Sequence, residues 1–351
     1  MKKLDNIKIP ENFDSAIDLA IDKAIEDKKK NQSHKKKIIA ASISGSLIIG
    51  AMALSSETTW AYIENLTRHI ESYFGRNNNE LDKYKSEQYL VSQSKGLKYT
   101  IEEIMLDDRQ LVLSMTVDYS KYKWGINLEP NDLIPSFPTI TIDDLVFSGQ
   151  GSSCDVERVP GEKKNKMLFR IGLSTIDTDG DGAGDTEYEI IDMIEKDKEY
   201  DLNISFDQLN NFDEGDWEFN TKINGTSILE DTKVYKVNKK VAINENEYKG
   251  DFEIEEVRVS PLSVKIKYNY DLYDEISVEK RREPRAIALD ESGNEMEGGP
   301  GEGGRLSKRR WYIVGEYILK GNEKKITIVP RSYVNDKPKI YEDGKVEIEL
   351  E

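Results

Sequence analysis

The chain has 351 residues, enough for two domains of ordinary size, and a formal net charge of −17. It holds one cysteine and two histidines, so a disulfide framework within the chain is excluded, and so are most His-centred hydrolase mechanisms. A body this acidic repels nucleic acid and anionic lipid and attracts cations, so no nucleic-acid partner is expected.

The charge is unevenly spread. Residues 1–37 carry ten Lys/Arg against seven Asp/Glu, about +3, which leaves the remainder near −20. Within this tail, "IPENFDSAIDLAIDKAIEDKKK" places Phe13, Ile17, Ala20, Ile21, Ala24 and Ile25 on one face at helical spacing. The lysines gather at its C-terminal end, where they suit the helix dipole. An amphipathic helix with no second element to cover it needs a partner. That partner is a protein, a second copy of the helix, or the membrane surface. A membrane-lying helix usually has a basic polar face, and this one is acidic until its end, which favours a protein. The candidate partner-binding residues are Phe13, Ile17, Ile21 and Ile25.

Behind Lys35, Lys36 and Lys37 comes a run of 19 residues without charge, Ile38 to Ser56. As a helix it reaches roughly 28 Å, close to the hydrocarbon thickness of a bilayer. It reads as one transmembrane helix, with a long cleaved signal or a buried helix as the alternatives. Lysines crowd its N-terminal flank, while only Arg68 and Arg76 follow within twenty residues. The N-terminus is therefore expected in the cytoplasm and the acidic bulk outside the cell membrane. Ser42, Ser46 and Gly50 recur every four positions, the small-residue pattern that lets two helices approach, so a homodimer through the span is one reading and an ordinary span the other.

Residues 57–92 begin helix-like in "TTWAYIENLTRHIESYF" and then break at "GRNNNELDK". Beyond Ser92 the period becomes two, in "LVLSMTVDY", "TITIDDLVF", "KMLFRIGL", "YDLNISF", "WEFNTKI", "LSVKIKYNY" and "KKITIVP". This region also repeats. "IEEIMLDDRQLVLSMTV" at 101–117 aligns without gaps on "IEEVRVSPLSVKIKYNY" at 254–270, apolar position on apolar position, each copy preceded by a glycine, Gly96 or Gly250. The fold class is therefore mainly β: two tandem antiparallel immunoglobulin-like sandwiches outside the membrane, one N-terminal transmembrane helix and a short amphipathic cytoplasmic helix. The expected divisions are a cytoplasmic helix at 1–37, a span at 38–56, a juxtamembrane segment at 57–92, and sandwiches at 93–231 and 232–351.

The region around Trp60, the segment "YLVSQSKGLKYTIEEIMLDDRQLVLSMTV" and the segment "GDFEIEEVRVSPLSVKIKY" resemble the domain-of-unknown-function 4179 family and its companion C-terminal domain. These are single-span membrane proteins of Firmicutes, many described as anti-sigma-factor-like. The resemblance implies that "IPENFDSAIDLAIDKAI" faces an extracytoplasmic-function sigma factor; one route of release is proteolysis near 57–76 followed by cleavage in the small-residue-rich span. The tail departs from zinc-containing anti-sigma domains, because it has no cysteine and only His34.

"DTDGDGAGD" sets Asp177, Asp179, Asp181 and Asp185 at positions 1, 3, 5 and 9 of a loop with Gly182 at its sharp turn. Alternating aspartates supply the oxygen ligands that calcium takes, although position 12 is Tyr188 in place of a bidentate glutamate. The readings are a weak calcium site and a solvated acidic loop between strands. "EGGPGEGG" at 297–304 lacks the Lys-Ser/Thr of a phosphate loop and reads as a mobile hairpin loop. The acid pairs Asp107-Asp108 and Asp143-Asp144 read as solvated turns, and no nucleophile–base pair is visible, so the chain is not expected to be an enzyme.

The function these features imply is a single-pass regulator: outer sandwiches meet an unknown extracellular ligand, and the inner helix sequesters a sigma factor. The alternative is a membrane-anchored surface binding or structural module with no signalling role.

Overall fold

In the computed structural model of the chain, the described residues are 69–76 and 80–350, apart from 109, 123–128, 137, 148–151, 174, 177–185, 188–192, 210–213, 246–247, 274–283, 306–308 and 335–336. The expected cytoplasmic helix and membrane span lie outside them. Among the described residues, no helix is long and apolar enough to cross a membrane. What is described is mainly antiparallel β-structure. It forms two compact units, one ending at Leu229, the other running from Glu230 onward and including Phe74–Arg76.

The first unit opens with a short helix, α1 (His69–Tyr73), and continues with β1 (Lys85–Ser94), β2 (Leu97–Asp107), β3 (Gln110–Asp118), β4 (Pro135–Ser136), β5 (Thr139–Ile142) and β6 (Leu145–Phe147). There follow β7 (Ser152–Arg158), β8 (Lys164–Gly172), β9 (Thr175–Ile176), β10 (Thr186–Glu187), β11 (Glu199–Leu209) and β12 (Glu214–Asn224); a second helix, α2 (Thr226–Asp231), begins in this unit and ends in the next. One sheet has the order β1-β2-β3-β8-β7. The other runs β10-β9-β6-β5-β11-β12, with β4 also on β11.

The alternation in "YDLNISF" explains how the two sheets meet. Tyr200, Leu202, Ile204 and Phe206 all point inward and are buried, while the residues between them face out. They join Leu97, Tyr99, Ile101, Leu113 and Met115 of the facing sheet in one apolar core. Trp217 of β12 fills its centre, with the Tyr99 ring edge-on at 5.3 Å between centroids. The Tyr99 hydroxyl donates to the Leu133 carbonyl at 2.7 Å, so its polar end is satisfied inside the core.

The second unit contains β13 (Lys233–Glu245), β14 (Tyr248–Val259), β15 (Ser263–Leu272), β16 (Arg285–Leu289), β17 (Gly298–Arg305), β18 (Arg310–Ile318), β19 (Lys325–Val334), β20 (Lys337–Ile340) and β21 (Val346–Glu349). Its five-stranded sheet has the order β13-β14-β15-β18-β17, the counterpart of β1-β2-β3-β8-β7. The smaller sheet is β16-β19-β20, with β21 also on β19, on the side away from β16.

The gapless repeat survives in the register. Ile101 pairs with Met115 and Ile254 with Tyr268, and Ile104 pairs with Leu113 as Val257 pairs with Ile266. Each ladder then slips at the same place, between Ile101 and Glu103 and between Ile254 and Glu256. The neighbouring edge strands slip in step, β1 between Glu87 and Leu90 and β13 between Lys236 and Lys239. Tyr89 and Asn238, at φ 50° in both, occupy matching positions in those bulges.

Two local expectations are corrected. The stretch expected to be a mobile loop at 297–304 is mostly edge strand β17, paired with β18. An edge position tolerates Gly and Pro because one side of the ladder is not called on to donate. Asp107 and Asp108 are buried, not solvated, with Gln110 Nε2 donating to Asp107 Oδ2 at 3.1 Å across the hairpin. Asp143 is exposed as expected, and its carboxylate accepts from the Asp201 N–H at 2.9 Å. The two glycines before the repeat are also unlike. Gly96 closes a two-residue hairpin with Lys95, both at positive φ, whereas Gly250 sits within β14 opposite Leu272.

Candidate functional site

None of the residues singled out for binding lies among the described ones. Phe13, Ile17, Ile21 and Ile25 precede them, and Asp177, Asp179, Asp181 and Asp185 fall in the segment 177–185. The strands on either side of that segment are described and paired: Ile176 lies opposite Thr186 and Thr175 opposite Glu187. The aspartates thus occupy the connection of a hairpin. Among the described residues, no group of three or more His, Cys, Asp or Glu is placed to hold a metal ion.

What the fold does assemble is a cluster of buried charge where α1 meets the first sheet. It starts from the bulge in β2. Before the bulge the core-facing residues are Leu97, Tyr99 and Ile101; after it they are Ile104 and Leu106. One extra residue has shifted the phase, and Glu102 and Glu103 fill the gap. Both are buried.

Glu103 meets Lys85 from the start of β1, with Nζ 2.9 Å from its Oε1. The same Nζ lies 2.6 Å from Glu71 Oε1 on α1 and 3.2 Å from Asp82 Oδ1. The side chains of Lys85, Glu71 and Glu103 are 6%, 2% and 0% exposed, so the three share one dry site, whereas Asp82 is half in water. Burial by itself would lower the Lys85 ammonium, but its hydrogen bonds with Glu71 and Glu103 outweigh that and hold it well above its ordinary value. Burial pushes Glu103 up to about 7 even though Lys85 pulls it down. Glu102 is pushed by burial to about 8, with Thr116 and Lys166 acting against the rise. The cluster is completed from α1 by Ile70, fully buried, and by Tyr73, whose ring lies 5.1 Å from the Arg170 guanidinium of β8.

The second unit places a glutamate at the same post-bulge position and treats it differently. Glu256 is bonded by Lys236 of β13 and by Arg258 Nε at 2.5 Å, a residue of its own strand. Burial works to raise Glu256, but the bonds from Lys236 and Arg258 prevail and hold it below the usual value. Sequence reasoning passed over both clusters. The signal was present in "IEEI" and "IEEV", where two polar residues interrupt strict alternation at the same point of a repeat.

Two family models match parts of the chain. Residues 29–118 match the Domain of unknown function (DUF4179). Residues 232–351 match the Family of unknown function (DUF5643). Among solved structures, the conserved domain protein from Bacillus anthracis is similar at 16% identity, covering 80% of this chain and 98% of that one with a TM-score of 0.51, a likeness of fold. Bovine butyrophilin aligns at 9% identity over 70% of this chain and 92% of its own, with a TM-score of 0.18. Comparison with curated proteins gives no match.

Proposed function

We propose that this chain, whose residues 29–118 match the DUF4179 model and 232–351 the DUF5643 model, is a single-pass membrane regulator of the anti-sigma-factor-like kind. In this reading residues 1–37 are cytoplasmic, residues 38–56 span the membrane, and the acidic β-units lie outside as immunoglobulin-like sandwiches that meet a ligand at the envelope. The amphipathic tail buries Phe13, Ile17, Ile21 and Ile25 in a groove of a sigma factor. Burial of four such side chains contributes roughly 1.5–3 kcal/mol each before the cost of ordering the tail.

The observation that carries this reading is polarity along the sequence. A basic, amphipathic tail and a body of about −20 stand on opposite sides of 19 uncharged residues. A tail that served only to set topology has no use for an apolar stripe, since the lysines alone orient a span.

The test is capture from the native cell on the full-length chain, against the same chain with Phe13, Ile17 and Ile21 all changed to Asp. A sigma factor retained by the parent and lost by the triple variant, with equal membrane insertion of both, supports the reading. Equal capture by both refutes the groove. Unchanged function after deletion of residues 4–27 would favour a surface module anchored by the span.

A further inference from the structure

Helix α1 has five residues, too few to hold itself together, so its position is set by what it packs on. Ile70 alone could seat it by apolar contact. Yet its neighbour Glu71 is also buried, and its carboxylate shares Lys85 with Glu103 of β2. A buried ion pair stabilises less than an apolar contact of the same volume, but losing one partner is costly, because the other charge is left stranded. Without the lysine, Glu71 would hold an unpaired charge in a dry site, so the helix keeps its seat only while the bridge stands.

Comparison of the repeats shows why this lysine is shared. In the second unit Glu256 is met within its own strand by Arg258. The equivalent of Arg258 in the gapless alignment is Met105, fully buried and without charge. Glu103 therefore turns to Lys85, and Lys85 also serves Glu71. Three carboxylates, those of Glu71, Glu103 and Asp82, surround one ammonium. Glu71 Oε2 is buried and has no hydrogen-bond partner among the described residues. The acid that the second unit neutralises inside one sheet is used in the first to fasten a helix that precedes the sheet.

We propose that Lys85 is a latch. While it bridges Glu71 and Glu103, the segment ending in Tyr73 and the bulged strand β2 move as one body. When the bridge is lost, the segment leaves the sheet and the sandwich beneath stays folded. The latch deepens the regulator reading and rests on it for its purpose alone: the residues upstream of His69 lead back to the uncharged run, so a closed latch passes displacement of the first unit toward the span, and an open one does not.

The experiment reads local opening in the full chain. A thiol is introduced by Ile70→Cys in a Cys154→Ser background, and its rate of maleimide labelling is measured. A second chain carries Val117→Cys instead, as a reporter for the core of the same unit. Lys85→Met is expected to speed labelling at position 70 by about tenfold or more, leave position 117 unchanged, and be reversed by Lys85→Arg in place of Met. Glu71→Gln is the second unlatching variant, should Lys85→Met prevent folding, with the same expectation. An unmoved rate at position 70 overturns the latch. So does a rise at both positions together, which would make Lys85 a general stabiliser of the unit. Sigma-factor capture is measured separately on the same variants, so a working latch without capture would fail the regulator reading and leave the latch intact.

Discussion

Glu103 and Glu256 stand at the same point in two copies of one hairpin, each the first paired residue after a bulge, each turned away from its core. Their partners differ: Lys85 for the first, Arg258 and Lys236 for the second. At Glu256 the site is part of one sheet, so disturbing it should act on the second unit alone. Glu256→Ala takes from the buried Arg258 the carboxylate that its Nε bonds, and is expected to cost roughly 3 kcal/mol. The double change Glu256→Met with Arg258→Met should recover most of that, because an apolar pair of similar volume does not carry the desolvation cost. Thermal unfolding of the full chain checks it: the double variant melting below the single would contradict the account.

Much of the fold was legible because burial on one face leaves a period-two trace. The strands around Leu113, Ile204, Ile266 and Ile328 could be read directly, and the repeat fixed which strands correspond. The bulge was written there too, in Ile101-Glu102-Glu103-Ile104 and Ile254-Glu255-Glu256-Val257, but paired acids between apolar residues look like a surface step. Only the ladder shows that both edge strands slip at the same level. Strand β17 was opaque for the opposite reason: "GGPGEGGR" has no side-chain pattern, and its pairing is set by the backbone of β18. Lys85 was hidden because nothing in a sequence says that residues 71, 85 and 103 meet.

Tyr99 links the two sheets of the first unit through both halves of its side chain. Its ring packs on Trp217 and Phe206, and its hydroxyl serves the Leu133 carbonyl. Tyr99→Phe keeps the packing and orphans one buried carbonyl, so a loss of roughly 1–2 kcal/mol is expected. Tyr99→Ala adds a cavity in the centre of the core and should cost roughly 3–5 kcal/mol. The ratio of the two, from melting of the first unit, is the check. Equal losses would mean that the hydrogen bond and not the ring is what matters.

The hairpin connection holding Asp177, Asp179, Asp181 and Asp185 makes a direct prediction about calcium. Millimolar calcium should raise the melting temperature of the first unit, and Asp179→Ala with Asp181→Ala should remove the gain. The pairing of β9 with β10 gives the effect a route into the sheet, since a cation held by the aspartates between them also ties the two strand ends together. No gain in the parent chain would leave the aspartates a solvated turn.

Glu102 sets the direction of the pH dependence. Burial raises it from the usual 4.5 to about 8, so the folded first unit keeps a proton there that the unfolded chain gives up. Below the unfolded value both states are protonated and the group costs the fold nothing. As pH climbs from about 4.5 toward 8 only the folded state holds the proton, and stability falls progressively, by on the order of a few kcal/mol. Glu103, raised to about 7, adds to the same slope over a narrower window. Glu102→Gln keeps the shape and removes the titration. It should therefore raise the melting temperature at pH 8 and change it little near pH 4, flattening the profile between them. If melting of the first unit keeps the parent's slope in Glu102→Gln, the carboxyl is already ionised in the folded protein and Lys166 is compensating it.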